Sequence, residues 1–555
     1  MRSVFAATAL AVVLVASGRT ATPKFLPDDP IQVDDDMALD ASGAQSIGEG
    51  SNMYDFVENT FVKPGDPKAG HAMNVNTMDE VPDSTWFTNR IGRRDMSIEE
   101  IVRGPDLMAA PNVDGWPIVQ GKSAGVSAGY RVVDPAGRRY QIKFDPPGNP
   151  ELGIGAELIG TAIYHALGYN VVQSFIVEID PARIVIDPSA TTVDLAGRRR
   201  RMTRDDVNAV LKRAARQTNG KYRALASRFA DGAPLGHFKY YGTRPDDPND
   251  IHPHEHRREL RGNRVFAAWV NHDDSRGINS LDMLEGREGR RYIRHYMFDF
   301  GSIMGSGTNG PQAPRAGNEY ILEWKPALLT LATLGAYARP WTTVRYPRSA
   351  RSVGRFEADF FDPAAWKPEY PNPAFDRMQP DDAFWAARLV LRFSDAVLRA
   401  VVAKARYTEP GASEYILNTL IKRRDKVLKT WLTAVNPLVD PVLDENGTLT
   451  FANAAIASRV ASRPSSYTLT WSRFDNASGV AIGTPEQIST TEPRATAPPR
   501  ALADAEFVSV AVRTNHPDYP HWSAPVTFYF RRAARGWRAV GLDRSAPEAT
   551  EPSSR

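Results

Sequence analysis

Asn271-His272-Asp273-Asp274-Ser275-Arg276-Gly277-Ile278-Asn279, followed by Phe298-Asp299-Phe300-Gly301, is the stretch on which the fold of this 555-residue chain turns. Ahead of it, Leu260 to Val270 reads as a helix with one apolar face. Behind it, Asn279 to Leu284 reads as a strand, Glu285 to Arg291 as a turn, and Tyr292 to Phe298 as the returning strand. The order is helix, polar loop, hairpin, acidic turn. Asp, Asn and Gly are also what an ordinary surface turn contains, so the loop needs support from elsewhere in the chain.

That support lies upstream. Tyr130 to Asp134 and Arg138 to Asp145 are strand-like runs separated by Pro135-Ala136-Gly137, the punctuation of a hairpin. On the second run Tyr140, Ile142 and Phe144 share one face, which leaves Gln141 and Lys143 on the other. From Glu151 to Leu167 the residues Leu158, Ile159, Ala162, Ile163, Ala166 and Leu167 repeat at helical spacing, Glu157 lies on that helix, and Gly168 supplies a stop. Before the hairpin, Gly121 to Gly129, with Gly125 inside it, is a small-residue turn able to approach phosphates closely. It lacks the full G-x-G-x-x-G pattern.

Phosphoryl transfer needs phosphates held still, divalent ions, and an acceptor hydroxyl aligned with a carboxylate. Asp274 and Asn279 stand at the Asp-x-x-x-x-Asn spacing of a kinase catalytic loop, with His272 in register. With Asp299-Phe300-Gly301 the chain resembles a divergent member of the protein-kinase-like superfamily, closer to its HipA, CotH and phosphoinositide-kinase branches than to eukaryotic protein kinases. The resemblance covers roughly residues 115 to 440. It implies an α+β, bilobal fold with a strand-rich upper lobe and a helical lower lobe, and a site for ATP and one or two Mg2+ ions between them. It also implies roles: Asp274 accepts the acceptor proton, Asn279 and Asp299 bind metal, Lys143 contacts phosphates, Glu157 holds Lys143, and Gly125 and Gly129 flank the nucleotide. No Ala-Pro-Glu segment follows Gly301, and about 55 residues beyond an ordinary upper lobe precede the catalytic helix, so the acceptor (protein, lipid or sugar) is left open.

The whole-chain properties frame this. Hydrophobic residues make up 42% and charged residues 24%, ample for two or three cores. A formal charge of +3 gives no field that calls for nucleic acid or membrane. Residues 1–18, with Arg2, an apolar run from Val4 to Val15 and Ala16-Ser17-Gly18, read as a cleaved export signal, hence a periplasmic or extracellular protein with no transmembrane anchor after cleavage. The absence of cysteine excludes disulfides, thiolate metal sites and thiol nucleophiles. The expected division is a flexible leader at 19–50, an N-terminal extension at 51–120, an upper lobe with insertion at 121–255, a helical lobe at 256–440, a small all-β sandwich module at 446–544 and a disordered tail at 545–555.

Other readings compete. Gly125-Val126-Ser127-Ala128-Gly129 fits the G-x-S-x-G elbow of a serine hydrolase with Ser127 as nucleophile, but that elbow needs a following helix and β-branched residues come next. His252, His254 and His256 with Glu255 lack His-Glu-x-x-His spacing and read as an exposed loop. Arg198 to Arg201 reads as a solvated loop or an anionic contact. Nucleotidyl transfer, using the same ATP and metals in a reversed orientation, stays open beside phosphoryl transfer, and a kinase-like envelope binding protein without catalysis is the second class of function, because an exported protein meets little ATP.

Overall fold

In the computed structural model the described residues are 22–48, 50–68, 70–122, 127–194, 197–307, 309–347 and 350–545. The export signal expected at residues 1–18, Gly125, and the tail from residue 546 lie outside them. Ser97 caps α1 (Ile98–Arg103), its side chain accepting from the Glu100 N–H. Then come β1 (Pro117–Gly121), β2 (Ala128–Val133), β3 (Arg139–Phe144), α2 (Leu152–Leu167), β4 (Ser174–Ile179), β5 (Val185–Val193), β6 (Arg199–Arg201) and β7 (Tyr222–Arg228). The seven strands form one sheet in the order β4-β7-β3-β2-β1-β5-β6. All neighbours are antiparallel except β1 and β5.

Alternation in β3 decides the two faces of this sheet. Tyr140, Ile142 and Phe144 are buried with Tyr130, Val132, Phe175, Val177 and Ala224 in a core of their own. The opposite face meets α2, through Leu225 and Ile176 packed on Ile154 and Leu158. The residues between the expected upper-lobe strands and the catalytic helix are thus partly integral: β7 sits between β3 and β4. The basic run is not a loop, because Arg199–Arg201 is the edge strand β6, where exposed charge deters further pairing.

The chain continues through β8 (Ala233–Gly236), α3 (Arg258–Val270), β9 (Ser280–Arg287) and β10 (Arg290–Met297), whose sheet runs β10-β9-β8. α4 (Pro380–Leu391), α5 (Asp395–Ala403) and α6 (Ala412–Trp431) pack with α2 and α3 into the largest core. Trp269 shows how tightly: it is fully buried, edge-on to Phe393 at 5.2 Å, and its indole donates to the Leu420 carbonyl at 3.0 Å. Each such side chain is worth about 2–3 kcal/mol by area removed from water.

The expected all-β module starts earlier than residue 446, at β11 (Leu438–Leu443). It continues with β12 (Thr448–Asn453), β13 (Ser466–Asp475), β14 (Val480–Thr490), β15 (Arg494–Thr496), β16 (Phe507–Asn515), β17 (Val526–Arg532) and β18 (Trp537–Arg544). Two antiparallel sheets, β11-β12-β15 and β14-β13-β16-β17-β18, share one apolar core.

The leader is not loose over residues 22–48. Phe25 is buried against Phe474, Phe507 and Tyr529 of the C-terminal sheet. Asp36 accepts from both the N–H and the hydroxyl of Thr85, and Ala41 and Ala44 pack with Leu235, Leu284 and Ile293. Small and acidic residues conceal this strap, since it is held by a few anchors rather than by periodic apolar positions. A buried ionic cluster adds a second tie: Arg258, at the start of α3, binds Asp381 at 2.7 Å, Asp382 at 3.1 Å and also Asp79, which in turn meets Arg544 of β18 at 3.2 Å. Among the described residues no helix is long and apolar enough to cross a membrane.

Candidate active site

Lys143 reaches the site because strand alternation points it away from the Tyr140–Phe144 core and over α2. In the sheet it stands beside Leu225 of β7 and Gly129 of β2. Gly129 is therefore a strand residue rather than part of a phosphate-cradling turn, and it has to be glycine: a Cβ there would lie 2.1 Å from the Ile142 carbonyl. The Lys143 ammonium donates to Asp299 Oδ1 at 2.7 Å and lies 4.0 Å from Glu157 Oε2. Glu157, on α2, accepts the Gly301 N–H at 2.8 Å with the same oxygen. One carboxylate thus ties the sheet, the helix and the Asp299-Phe300-Gly301 turn together.

That turn is placed by two constraints. The β9–β10 ladder pairs Met297 with Ser280, so the chain just beyond it brings Phe298 opposite Asn279, where the Phe298 N–H meets the Asn279 carbonyl at 3.5 Å. Asp299 follows in the left-handed region at φ 66°, a conformation an aspartate tolerates better than most residues. Phe300 then inserts under α2, 4.5 Å from Tyr164 and 5.7 Å from His272 between ring centroids. Gly160 makes the insertion possible, since a Cβ on it would stand 2.5 Å from the Phe300 Cβ.

The polar loop begins where α3 ends, at Asn271 with φ 53°. Asn271 accepts from the Trp366 indole at 2.9 Å, and the His272 imidazole pairs with the Ser275 hydroxyl at 2.9 Å. The two aspartates have different surroundings. Asp273 is buried, accepts from Gln312 at 2.6 Å and is pushed up to about 8 by burial and by neighbouring Asp274. Asp274 is 20% exposed at its side chain, pairs with Arg276, and accepts from Ser302 at 3.3 Å. Burial raises it to about 6, with the Arg276 guanidinium opposing. The Asn279 amide nitrogen donates to the Asp274 carbonyl at 2.8 Å, which leaves its oxygen as the acceptor.

Electrostatics separate the remaining acids. Lys143 holds the Asp299 carboxyl below its ordinary range, against burial. Glu157 is raised by burial, with Lys143 acting the other way. Burial alone would depress Lys143, but Asp299 and Glu157 more than offset it and keep the amine charged. The Asp299 side chain remains 42% exposed. A carboxylate held ionised at an exposed edge suits a hard cation that takes its other ligands from phosphates and water. Among the described residues no group of three or more His, Asp or Glu side chains is arranged to hold a metal by itself.

Lys143 meets Glu157 and Asp299, and Asn279 and Ser302, next to the Asp299 turn, hold Asp274, so the residues the resemblance singles out lie near one another, and Gly129 lies on the strand next to Lys143. Two partners had no sequence signal. Lys122, lowered to about 8 by burial and by Lys143, donates to the Ser127 carbonyl at 3.1 Å and to its hydroxyl. Arg276 spans Asp274 and Glu369, the latter at 2.6 Å. Ser127 is followed by strand β2 and not by a helix, so the nucleophile elbow is not formed. The histidine loop is not exposed as expected: His254 is buried 2.6 Å from Asp250, and His256 is buried beside Arg261. Comparison with protein-family models, with curated proteins and with solved structures returned no match. Fold and site together define a mixed α+β protein whose lysine–carboxylate cluster joins a seven-stranded sheet to a helical core.

Proposed function

We propose that this chain is an ATP- and Mg2+-dependent phosphotransferase of bilobal, protein-kinase-like fold, acting in an exported compartment. In this reading the sheet β4-β7-β3-β2-β1-β5-β6 with α2 is the upper lobe and the α3–α6 core is the lower one. The observation that carries it is the Lys143–Asp299 contact at 2.7 Å with Glu157 behind it, joining residues 156 positions apart. ATP with Mg2+ supplies the transferable phosphoryl group and the charge that balances it. Asn279 and Asp299 would hold the metal, and Lys143 the phosphates, with Lys122 close enough to add a second cation. Asp274 orients the acceptor hydroxyl and takes its proton, for which its carboxyl must be ionised. Asp273, buried and bound to Gln312, is suited to bracing the loop instead.

The test is Mg2+-dependent ATP binding and turnover by the mature chain and by Asp299→Ala. Binding and turnover in the parent, both weakened in the variant, support the reading. Magnesium-dependent binding without turnover would make this a noncatalytic binding protein of the same fold. Binding that Asp299→Ala leaves unchanged would remove the site assignment altogether.

A further inference from the structure

The segment after the Asp299 turn carries a surface that packing among the described residues does not use. The helix Trp324–Ala332 has no buried residue along its whole length. Trp324 is 63% exposed, Leu328 60%, Leu331 72% and, just past the helix, Leu334 95%, with Ile321 at 49%. Positions 324, 328 and 331 fall on one helical face. A helix this short is marginal in water unless an apolar face is buried, so a face of this size calls for something to bury it.

Charge points to what that is. From Trp324 to Arg355 the sequence has no Asp or Glu, while Lys325, Arg339, Arg345, Arg348, Arg351 and Arg355 are all basic. Arg339 is committed to Glu319, but Lys325 and Arg345 are exposed. Exposed Trp and Leu followed by cations alone, with the preceding Glu323 already paired to Lys367, is the pattern of a helix lying in the headgroup region of an anionic bilayer. A protein partner would equally cover the leucines, but the wholly one-signed charge favours a surface of phosphates.

We infer that residues 324–345 dock this protein on an anionic phospholipid surface. The segment is tied to the site: the Ile321 N–H meets the Glu369 carbonyl at 2.7 Å, and the Glu369 N–H meets the Asp273 carbonyl at 2.7 Å. Docking therefore brings the Asp274 loop close to the membrane, where a lipid or lipid-linked acceptor would be found. The docking itself does not depend on the phosphotransferase reading.

The experiment is co-sedimentation of the full chain with vesicles of phosphatidylglycerol and phosphatidylcholine, beside vesicles of phosphatidylcholine alone. Three proteins are compared: the parent, Leu328→Glu/Leu331→Glu, and Asp274→Ala. The parent and Asp274→Ala should pellet with the anionic vesicles, less so as salt is raised, and the double variant should bind about tenfold more weakly or worse. Circular dichroism and thermal unfolding confirm that the double variant, changed only at exposed positions, is folded. Equal pelleting with neutral vesicles, no pelleting by the parent, or unchanged pelleting by the double variant would each overturn the inference. So would concentration-dependent self-association, abolished by the double variant, in a parent that ignores vesicles, since the face would then belong to a second copy.

Discussion

Replacing Lys143 with Met removes a cation that Glu157 and Asp299 share, and the consequence depends on pH. Asp299 loses a partner at 2.7 Å, but its side chain is 42% exposed and water takes over much of the role. Glu157 is only 4% exposed, keeps the Gly301 N–H, and loses the ammonium at 4.0 Å. Breaking a buried pair costs about 3–5 kcal/mol, and the exposure of Asp299 places this site at the lower end, about 3 kcal/mol at pH 8. Glu157 is already raised by burial, and without Lys143 it rises further. A carboxyl raised in the folded state lowers stability as pH climbs from its unfolded value through its folded one. The loss should therefore be smaller at pH 5 than at pH 8, because a carboxyl raised in the folded state is protonated more readily there as pH falls. Urea unfolding of Lys143→Met, Glu157→Gln and the double variant at both pH values measures this. The double variant should be less destabilised than Lys143→Met alone at pH 8, because Gln still accepts from Gly301 without a charge. A pH-independent loss, or strict additivity of the two changes, would refute the shared-cation account.

Three further outcomes follow from other parts of the molecule. Turnover by the parent should rise as pH passes through about 6, where Asp274 ionises, and Asp274→Asn should lower it about 10²–10⁴-fold while leaving nucleotide binding intact, as read by pH–rate profiles and equilibrium binding. Gly160→Leu should expel Phe300 from beneath α2, costing about 1–3 kcal/mol in urea unfolding and weakening magnesium-dependent nucleotide binding through the displaced Asp299. Phe25→Ala should cost about 3–5 kcal/mol and expose residues 22–31 to limited proteolysis, because Phe25 is 2% exposed and packed on three aromatic rings.

The sequence by itself determined whatever local pattern encodes. Period-two alternation at Tyr140, Ile142 and Phe144 set the face of Lys143, and helical spacing from Leu158 to Leu167 set α2. A hairpin between Asn279 and Asp299 was legible, but its strands run further than the spacing suggests, to Arg287 and from Arg290, and it is this register that sets Ser280 opposite Met297. Elements held by long-range contact carried no such signal. β7 is small and polar, Tyr-Arg-Ala-Leu-Ala-Ser-Arg, yet it lies mid-sheet because its alanines fit between β3 and β4. The strap at 22–48 reads as solvated, and Phe25 becomes an anchor only when the C-terminal sheet, some 450 residues later, offers it Phe474. Arg276, Lys122 and the histidine loop likewise owe their partners to folding. Only the tertiary structure decided which of two adjacent aspartates is shut in and which is left open, because burial and charge act through space and a sequence records neighbours only along the chain.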